Sequence, residues 1–355
     1  MAIDLKDLGW DDGWSKVFEP FAADQLVPAR IAIEFNYIYR VFAESGELQV
    51  QHSGKLRHEA ETLSAVGDWV AIRPTPGEET GTIEAILPRR TKFSRKVKGE
   101  LTVEQIVAAN IDTVFLVMGL DGDYNPRRLE RYMLLAYESG ASPVVILNKS
   151  DVADHLAEDM DEIRAQTVGI PVHAVSAKEK SGIEAVTGYL GPGRTGALLG
   201  SSGVGKSTIV NALIGEEKFK TRDVRASDSR GRHTTRHRNL ILLPDQRGLL
   251  IDTPGMRELQ LWTQEGSRET FEDVVELAAG CHFTDCRHRD EPRCAVKQAV
   301  EDGTLAADRL EGFLKLHDEM KSLEDRKDVR AQIDAKRKIK SISQSLKKLY
   351  KDREE

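Results

Sequence analysis

The sequence predicts an α/β protein in which a parallel sheet carries a phosphate-binding loop. A small β-barrel precedes it and a helical, metal-binding segment follows. Three observations predict this. Continuous apolar runs at residues 113–118, 143–147 and 195–199 alternate with helical spacing, as strands buried on both faces do. Gly200-Ser201-Ser202-Gly203-Val204-Gly205-Lys206-Ser207 fits G-x-x-x-x-G-K-[ST] at every fixed position, between the strand 195–199 and a helix that starts with Thr208. Short strands broken by glycine and proline fill residues 30–87.

At 355 residues the chain exceeds one typical domain, and 40% hydrophobic content suffices for ordinary cores. Net charge is -7, so the average carries no nucleic-acid signature, although the end of the chain is basic. The 3 cysteines all lie between 281 and 294, which argues against a secreted disulfide scaffold. There is no apolar run of membrane-spanning length and no basic-then-apolar leader, so a cytoplasmic protein without membrane contact is expected.

Residues 1–29 form an extension whose Trp10, Trp14, Phe18 and Phe21 are expected to pack on the next domain. From Arg30, the alternation of Ile31, Ile33, Phe35, Tyr37 and Tyr39 predicts one half-buried strand. Further strands at 46–51, 68–73 and 80–87 complete a barrel at 30–98, for which an OB-fold fits. Residues 89–98 are basic, and read either as a phosphate-backbone contact or as a solvated linker.

The glycines of the phosphate loop let backbone N–H groups converge on phosphate oxygens, at the positive end of a new helix. Lys206 is expected to reach the β/γ-phosphates and Ser207 to hold Mg²⁺. Upstream, the strand 143–147 ends in Asn148-Lys149-Ser150-Asp151, the N-K-x-D motif. The Asp151 carboxylate can accept two hydrogen bonds from guanine N1–H and the 2-amino group, a donor pair adenine lacks. Asn148 orients that loop and the Lys149 stem covers the base. A strand at 172–175 delivers Ser176-Ala177-Lys178, which resembles the S-A-K loop whose backbone N–H meets guanine O6.

Downstream, Arg230-Gly231-Arg232-His233-Thr234-Thr235 supplies the threonine that completes the Mg²⁺ shell; Thr234 and Thr235 both qualify, with Thr235 preferred. A strand at 249–251 then leads into Asp252-Thr253-Pro254-Gly255, a D-x-x-G motif. Asp252 serves the magnesium shell and the Gly255 N–H serves the γ-phosphate. The ligands implied are GTP and GDP.

This order is rotated. The guanine motifs precede the phosphate loop, and Gly191-Pro192-Gly193 joins what would otherwise be the two termini. The domain is therefore a circularly permuted P-loop GTPase domain, placed at 99–262. Its new break lies beside the loop that responds to the γ-phosphate, which predicts that nucleotide state is transmitted to the flanking domains.

Residues 263–355 make a helical segment with Cys281-x₄-Cys286-x-His288-x₅-Cys294, a complete Cys₃His set suited to structural zinc; the alternative is three unmetallated buried cysteines, and His282 is a spare ligand. The chain reads as helical from Thr304 onward. Lys336, Arg337, Lys338, Lys340, Lys347, Lys348 and Lys351, interleaved with Ile339, Ile342 and Leu346, make a basic C-terminal helix, either an RNA contact or a solvated face.

The rotated motifs, the barrel before them and the Cys₃His set after them resemble the RsgA/YjeQ family of ribosome small-subunit-dependent GTPases. The resemblance runs from about residue 30 to 320 and is carried by Gly231-Arg232-His233-Thr234-Thr235, Asp252-Thr253-Pro254-Gly255 and the cysteine spacing. It implies an OB-fold, a GTPase domain and a zinc domain. It also implies binding to the 30S subunit and its 16S rRNA late in maturation, GTP hydrolysis stimulated by that subunit, and release afterwards. Met256 follows D-x-x-G where many GTPases carry a water-orienting Gln, so intrinsic hydrolysis is expected to be slow. His233 is the candidate to orient the water, with Lys206 and Thr235 completing the catalytic set, and a monomer is expected. Two readings compete. One is a GTPase acting on a protein or membrane partner; the other is a P-loop ATPase or kinase, which Asp151 opposes.

Overall fold

The computed structural model describes residues 3–35, 37–59, 62–96, 104–215, 239–252, 271–307, 309–315, 317–318 and 321. They fall into two compact units, residues 1–95 with 105–260 and residues 96–104 with 261–355.

In the first unit, helix α1 (Asp12–Ala23) opens the chain. Its N-cap Asp11 accepts from the Trp14 N–H at 2.9 Å, satisfying one orphan donor of the first turn. Trp14 and Phe18 are buried, and Trp10 meets the buried Trp69 edge-on at 4.7 Å. The extension thus packs by its aromatic residues.

The barrel comprises β1 (Val27–Phe35), β2 (Ile38–Ala43), β3 (Gly46–His52), α2 (Gly54–Glu59), β4 (Trp69–Pro74) and β5 (Thr80–Ile86). Pairing runs β1-β2-β3-β5-β4 and returns from β4 to β1. The β3–β5 pair is parallel and the others are antiparallel. A closed five-stranded sheet with a helix between its third and fourth strands is the expected OB-fold. Ile31, Tyr39, Val41, Val50, Ile72 and Ile83 fill it.

Two local expectations are corrected. The single strand expected through Ile31, Ile33, Phe35, Tyr37 and Tyr39 is a hairpin. Phe35 pairs with Ile38, and Tyr37 turns the chain with φ 66°. The basic stretch is largely not a solvated linker. Residues Lys92–Lys96 form β6, which pairs with β7 (Glu104–Ala109). Arg89 grips the fully buried Asp68 with two bonds of 2.7 Å, and Arg90 binds Asp11 at 2.6 and 2.7 Å. Residues 97 and 98 lie outside the described residues.

The remaining strands are β8 (Thr113–Gly119), β9 (Ser142–Asn148), β10 (Val172–Val175), β11 (Thr195–Leu199), β12 (Asn239–Leu242) and β13 (Leu249–Asp252). Their order is β10-β9-β8-β11-β13-β12, parallel except for β12. Helices α3 (Pro126–Ser139), α4 (Leu156–Gln166), α5 (Ile183–Thr187) and α6 (Lys206–Ile214) connect or follow them. All seven residues of β8 are buried, which explains its uninterrupted apolar run. Phe115, Val117, Val144, Ile146, Leu198, Val210 and Leu213 share one core. Helix α5 stops at Thr187, where Gly188 caps it.

The two sheets are continuous. Ile33 of β1 pairs with Asn239 of β12, so barrel and parallel sheet make one 11-stranded array. In the second unit, helices Glu272–Ala278 and Ala295–Glu301 flank the cysteine loop, and 309–315 are helical. The basic stretch 336–351 lies outside the described residues.

Candidate functional site

The sheet brings the rotated motifs to one edge. β8, β9, β10, β11 and β13 run parallel, so the loops after them open on the same side, where α/β sheets bind ligands. Asn148 ends β9, Ser176 follows β10, Gly200 follows β11 and Asp252 ends β13.

Glycine is required at two positions of the phosphate loop. A Cβ on Gly200 would lie 2.4 Å from the Val117 carbonyl of β8. At Gly205 φ is 93°, and a Cβ would lie 2.2 Å from Asn148 Nδ2. That close approach serves a contact. Asn148, 2% exposed, donates from Nδ2 to the Val204 carbonyl at 2.7 Å and accepts from the Ala177 N–H at 3.1 Å. One buried amide therefore joins the phosphate loop to the Ser176–Lys178 loop.

Ser176 donates to Asp151 Oδ1 at 2.6 Å and accepts from the Glu179 N–H at 3.2 Å. The Ser176 bond holds the Asp151 carboxyl below its ordinary pKa, keeping an exposed carboxylate charged and aimed. Lys149, in the left-handed region at φ 68°, pairs with Asp121 at 2.6 Å. Lys178 is exposed beyond the buried Ala177.

Lys206 Nζ donates to the carbonyls of Gly200, at 2.8 Å, and Ser201. Ser202 and Gly203 are exposed at the loop tip, with Gly203 at φ 85°, while Val204 is buried beneath. Ser207 and Thr208 lie in the first turn of α6. Burial pushes the Asp252 carboxyl above its ordinary range, and the Lys206 charge opposes that rise. Such a carboxylate gains from a nearby cation. His233, Thr234, Thr235, Gly255 and Met256 lie outside the described residues.

Three residues were missed by sequence reasoning: Asp121, Asp123 and Arg128, in the loop after β8 and the first turn of α3. Arg128 donates to Asp123 at 2.6 Å and to Ser201 of the phosphate loop at 2.7 Å. Their position after a parallel strand was the available signal.

In the second unit Cys281, Cys286, His288 and Cys294 converge, with all ligand atoms within 4.8 Å of one another. Cys281 Sγ to Cys294 Sγ is 3.9 Å, Cys281 Sγ to His288 Nδ1 is 3.6 Å and His288 Nδ1 to Cys294 Sγ is 3.3 Å. Tetrahedral zinc sets such edges at about 3.8 Å for S–S and about 3.5 Å for S–N. The donor set and its spacing therefore fit zinc, and burial keeps His288 toward the neutral, ligating form. His282 is absent from this cluster.

Against known proteins, residues 86–262 match the family model described as RsgA GTPase. Three relatives carry the name small ribosomal subunit biogenesis GTPase RsgA. That of Opitutus terrae is 46% identical over 89% of both chains, and that of Syntrophotalea carbinolica 42% over 96% of both. That of Methanosarcina acetivorans is 41% identical over 97% of this chain and 92% of its own. This chain belongs to the RsgA GTPase family. Like RsgA, it is a GTP hydrolase with a circularly permuted domain. YjeQ from Thermotoga maritima superposes with a TM-score of 0.62, at 28% identity, over 83% of this chain and 98% of that one. YloQ, described as a circularly permuted GTPase, gives 0.58 at 25% identity over 85% and 96%. Residues 195–352 also match a model described as a 50S ribosome-binding GTPase.

Proposed function

We propose that this chain binds the small ribosomal subunit late in its assembly, hydrolyses GTP to GDP and phosphate under that subunit's stimulation, and is then released. The observation that carries this is the joined site: Asn148 locks guanine-reading and phosphate loops together in a chain whose RsgA relatives match it at 41–46% identity.

Within this reading, Asn148, Lys149, Asp151 and the 176–178 loop hold the base, and 200–208 hold the phosphates. Ser207 and Thr235 would hold Mg²⁺, assisted by Asp252, and the Gly255 N–H would serve the γ-phosphate; the ion would offset phosphate charge during hydrolysis. His233 orients the attacking water, a task for which Met256 lacks a hydrogen-bonding group. Cys281, Cys286, His288 and Cys294 would hold zinc, which would fix the cysteine loop.

The RNA-facing part of the barrel is its β1–β2 turn. Phe35 and Tyr37 are 50% and 58% exposed, and the Arg57 guanidinium lies 5.6 Å from the Tyr37 ring centroid. Lys55, Arg57 and His58 on α2 are exposed nearby in sequence. Aromatic faces with cations suit 16S rRNA bases and phosphates. The β1–β12 pairing supports transmission of nucleotide state, because β12 lies between the threonine loop and D-x-x-G in sequence. The division into 1–29, 30–98, 99–262 and 263–355, a monomeric state and a cytoplasmic location complete the proposal. Among the described residues there is no helix long and apolar enough to cross a membrane.

The test is sedimentation with isolated ribosomal subunits. Binding to the small subunit that requires a non-hydrolysable GTP analogue supports the reading; binding to the large subunit alone would favour the second family description.

A further inference from the structure

The loop that follows β8, residues 120–125, belongs to neither the phosphate motif nor the guanine motif, yet it touches both. The Leu120 N–H donates to the Asn148 carbonyl at 2.8 Å, and Asp121 pairs with Lys149 at 2.6 Å. Three residues away from that anchor, a ring of hydrogen bonds closes on the phosphate loop. Arg128 Nη1 donates to Asp123 Oδ1 at 2.6 Å and to Ser201 Oγ at 2.7 Å, and the Ser201 hydroxyl donates to Asp123 Oδ2. Arg128 is itself placed by the start of α3, where Asn125 Oδ1 accepts its backbone N–H at 3.1 Å.

We propose that Asp123 and Arg128 are positioning residues that preorganise the phosphate loop through Ser201. This rests on that loop being the GTP site and deepens that reading. Ser201 is the second residue of the loop, and its carbonyl is one of the two that hold Lys206 Nζ. Its neighbour Gly200 is fixed by close approach to the Val117 carbonyl. The brace thus orders the stretch leading into the exposed tip at Ser202 and Gly203. A glycine-rich loop otherwise loses much backbone freedom when it closes on phosphates. Ordering it beforehand removes that cost from binding.

An Arg–Asp pair with side chains 33% and 25% exposed would by itself contribute little. The hydroxyl between them strengthens the pair, because each member then holds another and both charges assist the bonds. The brace touches the loop and acts on the phosphates through it. Ground state and transition state therefore share its benefit, so its loss raises KM and leaves kcat nearly unchanged.

The experiment uses the full chain with Ser201→Ala, Asp123→Asn, Arg128→Gln, Arg128→Lys and the double variant Ser201→Ala/Arg128→Gln. Affinity for GDP and a non-hydrolysable GTP analogue is titrated, and steady-state hydrolysis gives kcat and KM. Each of the first three is expected to bind about three- to tenfold more weakly, and for Asp123→Asn and Arg128→Gln, which lie outside the phosphate loop, kcat stays within about twofold. Arg128→Lys is expected between Arg128→Gln and wild type, and the double variant close to its weaker parent. Ser201→Ala removes only a hydroxyl, so it gives an answer even if a charge variant fails to fold. Unchanged affinities, fully additive losses, or a fall in kcat at constant affinity would each overturn the proposal. A Lys206→Ala control that still bound guanine nucleotide normally would instead overturn the site reading, and the brace with it.

Discussion

Asn148→Ala removes one side chain and cuts two links. The Val204 carbonyl loses its 2.7 Å donor and the Ala177 N–H its 3.1 Å acceptor. Both bonds are made by a residue 2% exposed, so neither partner is replaced by water without movement. In the free protein the two loops can shift outward and find water. Nucleotide binding must draw them back, so the penalty falls on the complex. At about 1.5 kcal/mol for each bond, the sum is about 3 kcal/mol, on the order of a hundredfold in affinity. Titration of the purified variant with GDP is the assay, with a thermal melt to confirm folding. A variant that binds GDP within about threefold of wild type would refute the idea that this amide joins the two loops.

Asp151→Asn should lose guanine preference and gain affinity for xanthosine nucleotides, whose C2 carbonyl can accept from the new amide; competition titrations measure the switch. Because the Ser176 bond lowers the Asp151 pKa, guanine binding should persist as pH falls to the ordinary carboxylate range and be lost only below it. Cys294→Ala should abolish zinc binding and destabilise the helix Ala295–Glu301, since Cys294 also caps it by accepting from the Lys297 N–H at 3.5 Å; zinc content after loading and circular dichroism check this. Asp11→Ala should destabilise the fold by about 1 kcal/mol through the lost cap, read from a denaturant midpoint. The Arg90 bond lowers the Asp11 pKa to about 2, so its contribution is full above about pH 4 and fades as pH falls toward 2.

The parallel sheet was legible because its strands are buried on both faces. The strands expected at 172–175 and 195–199 fall on β10 and β11 to the residue. The phosphate loop was legible because glycines, lysine and serine must stand at fixed spacing. What escaped did so for physical reasons. The β1–β2 turn carries Tyr37 between paired Phe35 and Ile38, so an alternating pattern passes through it unbroken. β6 hides among lysines and an arginine, with Phe93 and Ser94 as buried residues. The ring of Asp123, Arg128 and Ser201 joins residues more than seventy positions apart, which no local pattern reports. Among the described residues the union of barrel and parallel sheet is marked by the pair Ile33 with Asn239, and it is equally non-local. His233 and Thr235 stand in a stretch outside the described residues, so their roles rest on motif and resemblance.

The central claim is that a rotated guanine nucleotide site is completed on the small ribosomal subunit. GTP turnover measured with and without isolated small subunits, alongside sedimentation, tests it most directly. Slow turnover alone, a large rise on the small subunit, and loss of that rise in His233→Ala with binding retained are the expected results. Equal turnover with and without the small subunit, or stimulation by the large subunit instead, would contradict it.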